Sequence, residues 1–154
     1  MGKSHLYGLL LIEAPRPLKL PQLYAIFDRG CTAVRIFKNT WFDRFADKEG
    51  ITDDELQDVV NRLEAGQADA NLGGGVYKAR IARPGEGKAG GYRVIVFFIS
   101  EERAFFTYAF AKSDRDNIDS GELRAFKADA KVNFSLTDKQ INDRLIKRTL
   151  IEVL

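Results

Sequence analysis

Lys78, Arg80, Arg83, Lys88, Arg93, Lys112 and Arg115 are set among apolar residues in the stretch from Leu72 to Arg115. Lysine and arginine make charge-assisted hydrogen bonds to phosphate, so cations gathered on one surface suit a phosphodiester backbone. Val76 to Arg83 alternates as a strand does: Val76, Lys78, Arg80 and Ala82 point one way, Tyr77, Ala79, Ile81 and Arg83 the other. Lys78 and Arg80 therefore share a face. Arg93 stands in the apolar run Tyr92 to Ser100, beside Ile95, Phe97 and Ile99. An arginine in such a run needs an anionic partner or solvent. Tyr77, Tyr92 and Tyr108 add rings on which bases can stack, although core packing is the commoner use of tyrosine.

Other chemistries find little support. The one histidine is His5, which rules out a histidine pair for acid–base work, a Ser-His-Asp set and a His/Cys metal site. No metal and no cofactor is expected. Gly85-Glu86-Gly87-Lys88-Ala89-Gly90 matches G-x-G-x-x-G, but a strand follows it where a dinucleotide site needs a helix. No Walker A pattern occurs. Gly73-Gly74-Gly75 reads as a tight lead-in to the first strand, and Asp53 and Asp54 as first-turn residues favoured by the helix dipole.

A chain of 154 residues suggests one domain, and 45% hydrophobic with 30% charged residues is ordinary for a globular protein. The formal net charge of +2 is unevenly spread. Ile51 to Gly75 holds Arg62 against six acids, whereas Val76 to Arg115 holds eight bases against four acids. A local basic patch matters more for anion binding than the total. The lone Cys31 excludes an internal disulfide framework and fits a reducing cytosol. No apolar run approaches the roughly 20 residues of a membrane span. Leu6 to Ile12 lacks a following small-residue cleavage site, so neither a signal peptide nor a membrane partner is expected.

Elements must position these cations. Pro15, Pro17 and Pro21 break residues 1–33, which read as an N-terminal extension ahead of a domain at 34–154. Val34 to Lys38 reads as a short edge strand. Asn39 or Thr40 caps a helix from Trp41 to Lys48, ended by Gly50. Thr52 and Glu55 form a capping box before Leu56, Val59, Val60 and Leu63, a helical stripe stopped by Gly66. Val76–Arg83, Tyr92–Ser100 and Ala104–Ala111 form a meander, with Pro84 to Gly91 a mobile hairpin loop. Asp119 and Glu122 open a further helix through Leu123, Phe126 and Ala130, and Thr137 with Gln140 opens the last, with Ile141 and Leu145 inward. Leu150 to Leu154 is a last strand or a frayed end. The expectation is an α+β fold, with helices packed on one face of a small antiparallel sheet.

The segments GGGVYKARIARPGEGKAGGYRVIVFF and FFTYAFAKSDRDNI resemble the core of RelE-type toxins of bacterial toxin–antitoxin systems, in the RelE/ParE superfamily. The likeness runs from about Ile36 to Val153. It implies a microbial RNase-like fold and a cytoplasmic toxin, neutralised by a cognate antitoxin, that enters the ribosomal A site and cuts mRNA. The ribose 2′-hydroxyl would attack the adjacent phosphate, giving a cyclic phosphate and a 5′-hydroxyl end. The paired strand cations of the family match Lys78 and Arg80, and its glycine-tyrosine-arginine segment supplies Arg93. Its basic cluster after the last strand matches Lys112 to Arg115 in part. Lys78, Arg80, Arg93 and Lys112 are thus the implied catalytic residues, with Arg83, Lys88, Tyr92, Tyr108 and Arg115 as RNA contacts.

The chain departs from the pattern at Ser113, where RelE has arginine, and at Ile118 and Asp119, where RelE has a tyrosine. Lys112, Arg115 and Tyr108 are the residues that can stand in. Arginine stabilises the charge of a phosphorane directly, and a lysine among cations holds its proton less tightly, as a general base requires. Two further readings stay open: a ParE-like toxin that poisons DNA gyrase, and a nucleic-acid-binding module without catalysis.

Overall fold

The computed structural model describes residues 33–154, the side chains of residues 87–89 excepted. His5, Cys31 and the rest of residues 1–32 of the expected extension lie outside the described residues, as does the side chain of Lys88.

β1 (Arg35–Asn39) leads into α1 (Thr40–Glu49) and α2 (Asp53–Glu64). Four strands follow: β2 (Ala70–Gly73), β3 (Val76–Arg83), β4 (Gly87–Ile99) and β5 (Arg103–Ala111). Then come α3 (Ser120–Phe134), α4 (Asp138–Ile146) and β6 (Leu150–Val153). The six strands make one sheet in the order β2-β3-β4-β5-β1-β6, antiparallel throughout except for the parallel pair of β1 with β5. The α+β class is as expected.

Helix boundaries follow local chemistry. Asn39 Oδ1 accepts from the Phe42 amide at 2.7 Å to start α1, and Gly50 ends it at φ 75°. Capping boxes of Thr52 with Glu55, Asp119 with Glu122 and Thr137 with Gln140 start α2, α3 and α4. Each supplies partners to first-turn amides that have none within the helix.

The layering differs from the expectation. Helices cover both faces of the sheet, not one. On the first face Phe42, Leu56, Val59 and Val60 of α1 and α2 pack on Ile36, Val94, Val96 and Phe106. On the second, Ala130 and Ile141 of α3 and α4 pack with Phe37, Ile95, Phe97 and Phe105. The reason lies in β4, whose apolar residues occupy both alternating positions and so need cover on both sides.

Three further corrections concern strands. β1 is not an edge: it lies between β5 and β6, because Leu150–Val153 folds back along it. β2 was not expected; it pairs with β3 through a turn at Gly74-Gly75. The stretch Pro84–Gly91 is mostly strand. Only Pro84, Gly85 and Glu86 form the turn, in which the Glu86 amide donates to the Arg83 carbonyl at 2.8 Å, and Gly87 already pairs with Arg83. Backbone partners on β3 override the poor strand propensity of glycine.

β5 carries one irregularity that positions the site. Ile95 pairs with Tyr108 but Val96 with Phe106, so Thr107 is an extra residue in the ladder. Its hydroxyl donates to the Ile95 carbonyl at 3.3 Å, and its carbonyl accepts from Asn39 Nδ2 at 3.0 Å. A bulge reverses which side chains face which way beyond it. Phe106 faces α1 and α2, while Tyr108 belongs with the opposite cluster.

Candidate active site

The second face changes character along its length. Val76, Phe97 and Phe105 make an apolar row, over which α3 lays Phe126 and Phe134, with ring centroids 6.4 to 6.5 Å from Phe97 or Phe105. The next row is Lys78, Ile95 and Tyr108, and the one beyond it Arg80, Arg93 and Phe110. The aromatic cover from α3 reaches Tyr108, 5.8 Å from Phe126.

Arg80 and Arg93 are direct cross-strand partners. Lys78 sits diagonal to Arg93, a separation of about 7–8 Å between backbones that long side chains span easily. Arg80 is exposed and turns its Nε toward Asp69 at 3.6 Å. Lys78 is half-buried and donates to Asn117 Oδ1 at 3.0 Å. Arg93 is buried, with 7% of its surface exposed. Like charges placed opposite each other repel, so such a grouping is favourable only with an anion nearby.

The segment from Lys112 to Ile118 returns across this end of the sheet. Arg115 lies over the Phe110 ring, 5.3 Å from its centroid. Its guanidinium makes a two-pronged pair with the Glu122 carboxylate, donates from Nη1 to the Tyr108 hydroxyl at 3.3 Å, and donates from Nε to the Asn117 carbonyl at 3.0 Å. The Glu122 contact, with a smaller share from Tyr108, holds the Arg115 guanidinium above its ordinary value. Arg115 in turn, with the Asp119 amide, holds Glu122 below the usual carboxylate range. Lys112 pairs with Asp116 at 3.2 Å.

Lys78, Arg80, Arg93, Tyr108 and Arg115 are thus brought to one face, with Lys112 at its end. Two expected RNA contacts are not among them. Tyr92 is buried on the opposite face, where its hydroxyl donates to Glu49 Oε1 at 2.6 Å. That burial, reinforced by Glu49, pushes its phenol up to about 12. Arg83 lies over the Tyr92 ring at 5.5 Å and faces Glu86 at 3.8 Å. Both consequences follow from alternation: Arg83 is one position out of phase with Lys78 and Arg80, and Tyr92 with Arg93. Asn117 and Glu122 are the participants that sequence reasoning missed. Glu122 was visible only as a helix-capping residue, and Asn117 gave no signal.

Among the described residues, no group of three or more His, Cys, Asp or Glu side chains is arranged to hold a metal ion, and no helix is long and apolar enough to cross a membrane.

Fold and site together define a small α+β protein with lysine and arginine side chains gathered at one end of a sheet face. Residues 34–153 match the model of the family described as RelE toxin of the RelE/RelB toxin–antitoxin system. The chain belongs to this family: it is a toxin of a toxin–antitoxin pair, and membership implies an antitoxin as partner.

Proposed function

We propose that this toxin is a cytoplasmic endoribonuclease that cleaves mRNA bound in the ribosomal A site and so stops translation. The observation that carries the reading is the meeting of Arg80 with Arg93, and of both with Lys78, on one sheet face. In this reading Arg80 and Arg93 hold the scissile phosphate and stabilise the charge that gathers on its oxygens. The 2′-hydroxyl gives its proton to Lys78 reacting as the neutral amine, O2′ bonds to phosphorus, and the bond from phosphorus to O5′ breaks. The departing O5′ takes a proton from Lys112 or Tyr108. The products are a 2′,3′-cyclic phosphate and a 5′-hydroxyl.

The character of the described face supports a dependence on the ribosome. Its cations stabilise charge, but correct alignment of the 2′-hydroxyl with the phosphate must come from the bound message, and such positioning is worth several decades of rate. A reconstituted translation reaction with cleavage mapped on the message tests the proposal. Cuts with 5′-hydroxyl ends on ribosome-bound mRNA, and little cutting of free RNA, are expected. Intact mRNA with gyrase-linked DNA breaks would replace this reading with the ParE-like one, and RNA binding without cleavage would reduce it to a binding module.

A further inference from the structure

We propose that Glu122 is a latch that sets when Arg115 engages RNA: the carboxylate occupies the guanidinium in the free toxin and is exchanged for an RNA phosphate on binding. The inference rests on the ribonuclease reading and extends it to a positioning residue on α3.

Arg115 is placed for such an exchange. It lies over Phe110, the direct cross-strand partner of Arg93, so its guanidinium adjoins the row that would hold the scissile phosphate. Phosphate and carboxylate both accept the two-pronged arginine fork, so one can replace the other without new geometry. Neither partner is stranded by the exchange. Glu122 Oε1 also accepts from the Asp119 amide at 2.9 Å, which keeps the carboxylate satisfied as the cap of α3. Arg115 Nε keeps its bond to the Asn117 carbonyl, which anchors the side chain while its outer nitrogens change partner. Asn117 in turn accepts from Lys78, so the loop that carries the latch also touches the strand cations.

The consequence is measurable. In the wild type, release of Glu122 leaves a carboxylate that recaptures a cation, which offsets the counterion released by the phosphate contact. Glu122→Gln removes that offset, while glutamine still serves in a capping box. The test is binding of a fluorescein-labelled, 2′-O-methyl oligoribonucleotide, which cannot be cleaved, over a salt series, with melting curves to confirm folding.

Glu122→Gln is expected to bind several-fold tighter, with a salt slope steeper by about 0.7, the value for one added single-strand phosphate contact. Arg115→Ala/Glu122→Gln should bind no better than Arg115→Ala. Glu122→Ala, if folded, should move in the same direction as Glu122→Gln. Unchanged affinity and slope in Glu122→Gln, or a gain that persists without Arg115, overturns the latch. That outcome leaves the ribonuclease reading standing if Lys78→Ala and Arg80→Ala still weaken binding. Absence of binding by both the wild type and Glu122→Gln overturns the latch, while the ribonuclease reading, which concerns ribosome-bound mRNA, is decided by the translation reaction.

Discussion

Arg80 and Arg93 lie directly opposite each other on neighbouring antiparallel strands. Two guanidinium groups in cross-strand register destabilise a sheet unless something anionic answers them. Asp69 answers Arg80 from within the chain, 3.6 Å from its Nε, and the cross-strand pair is the feature on which the proposed phosphate contact rests.

Truncation of these cations should separate chemistry from folding. Lys78→Ala and Arg80→Ala are expected to lower cleavage of ribosome-bound mRNA by two to three decades, about 3 kcal/mol of transition-state stabilisation. Their stability should change by no more than about 1 kcal/mol, since both side chains reach solvent. Arg93 is buried, so Arg93→Ala combines lost chemistry with lost packing, and its rate must be corrected for the folded fraction. Arg93→Lys should stay inactive, because an ammonium cannot replace the fork. Full activity in folded Lys78→Ala and Arg80→Ala proteins would remove them from the site.

Gly75 is a point of close approach. It adopts φ +80°, and a Cβ there would come within 2.5 Å of the Phe134 ring. Gly75→Ala should therefore destabilise by about 2 kcal/mol or more, through backbone strain and displacement of Phe134 together. Urea unfolding would show a lower midpoint with an unchanged slope. A loss below 0.5 kcal/mol, well short of the roughly 1–3 kcal/mol usual for either effect, would show that β2 and α3 yield easily.

Asn39 performs two tasks, capping α1 through Oδ1 and holding the Thr107 bulge through Nδ2. Asn39→Ala removes both and should cost about 1–3 kcal/mol. Asn39→Asp keeps the cap but loses the donor to Thr107. If the bulge governs the placement of Tyr108, Asn39→Asp should retain most of the stability and still lose cleavage, as enzyme assays beside thermal melts would reveal.

Tyr92 provides an alkaline signature. Its folded value of about 12 lies above the ordinary 10.0, so the folded state keeps the phenol proton longer than the unfolded chain. The resulting stabilisation is whole below pH 10 and is lost as pH rises from 10 to about 12. The advantage in melting temperature of wild type over Tyr92→Phe should shrink across that window. A difference constant with pH would mean that neither the burial of the Tyr92 hydroxyl nor its Glu49 contact persists in solution.

Local chemistry by itself determined much of this protein. Helix starts at Asn39, Thr52, Asp119 and Thr137, and the alternation that unites Lys78 with Arg80, are properties of short segments and were legible from residue types alone. What depends on partners distant in the chain was not. β1 became interior because the C-terminal strand returned to it, and Pro84–Gly91 became mostly ladder because β3 supplied its hydrogen bonds. The deciding case is Thr107. Read as an unbroken strand, Phe106, Tyr108 and Phe110 share a face, but one inserted residue turns Tyr108 away from Phe106 and toward Lys78 and Arg115. Nothing in the run FFTYAF marks that bulge, because it arises where β5 must pair with β4 on one side and accept Asn39 on the other.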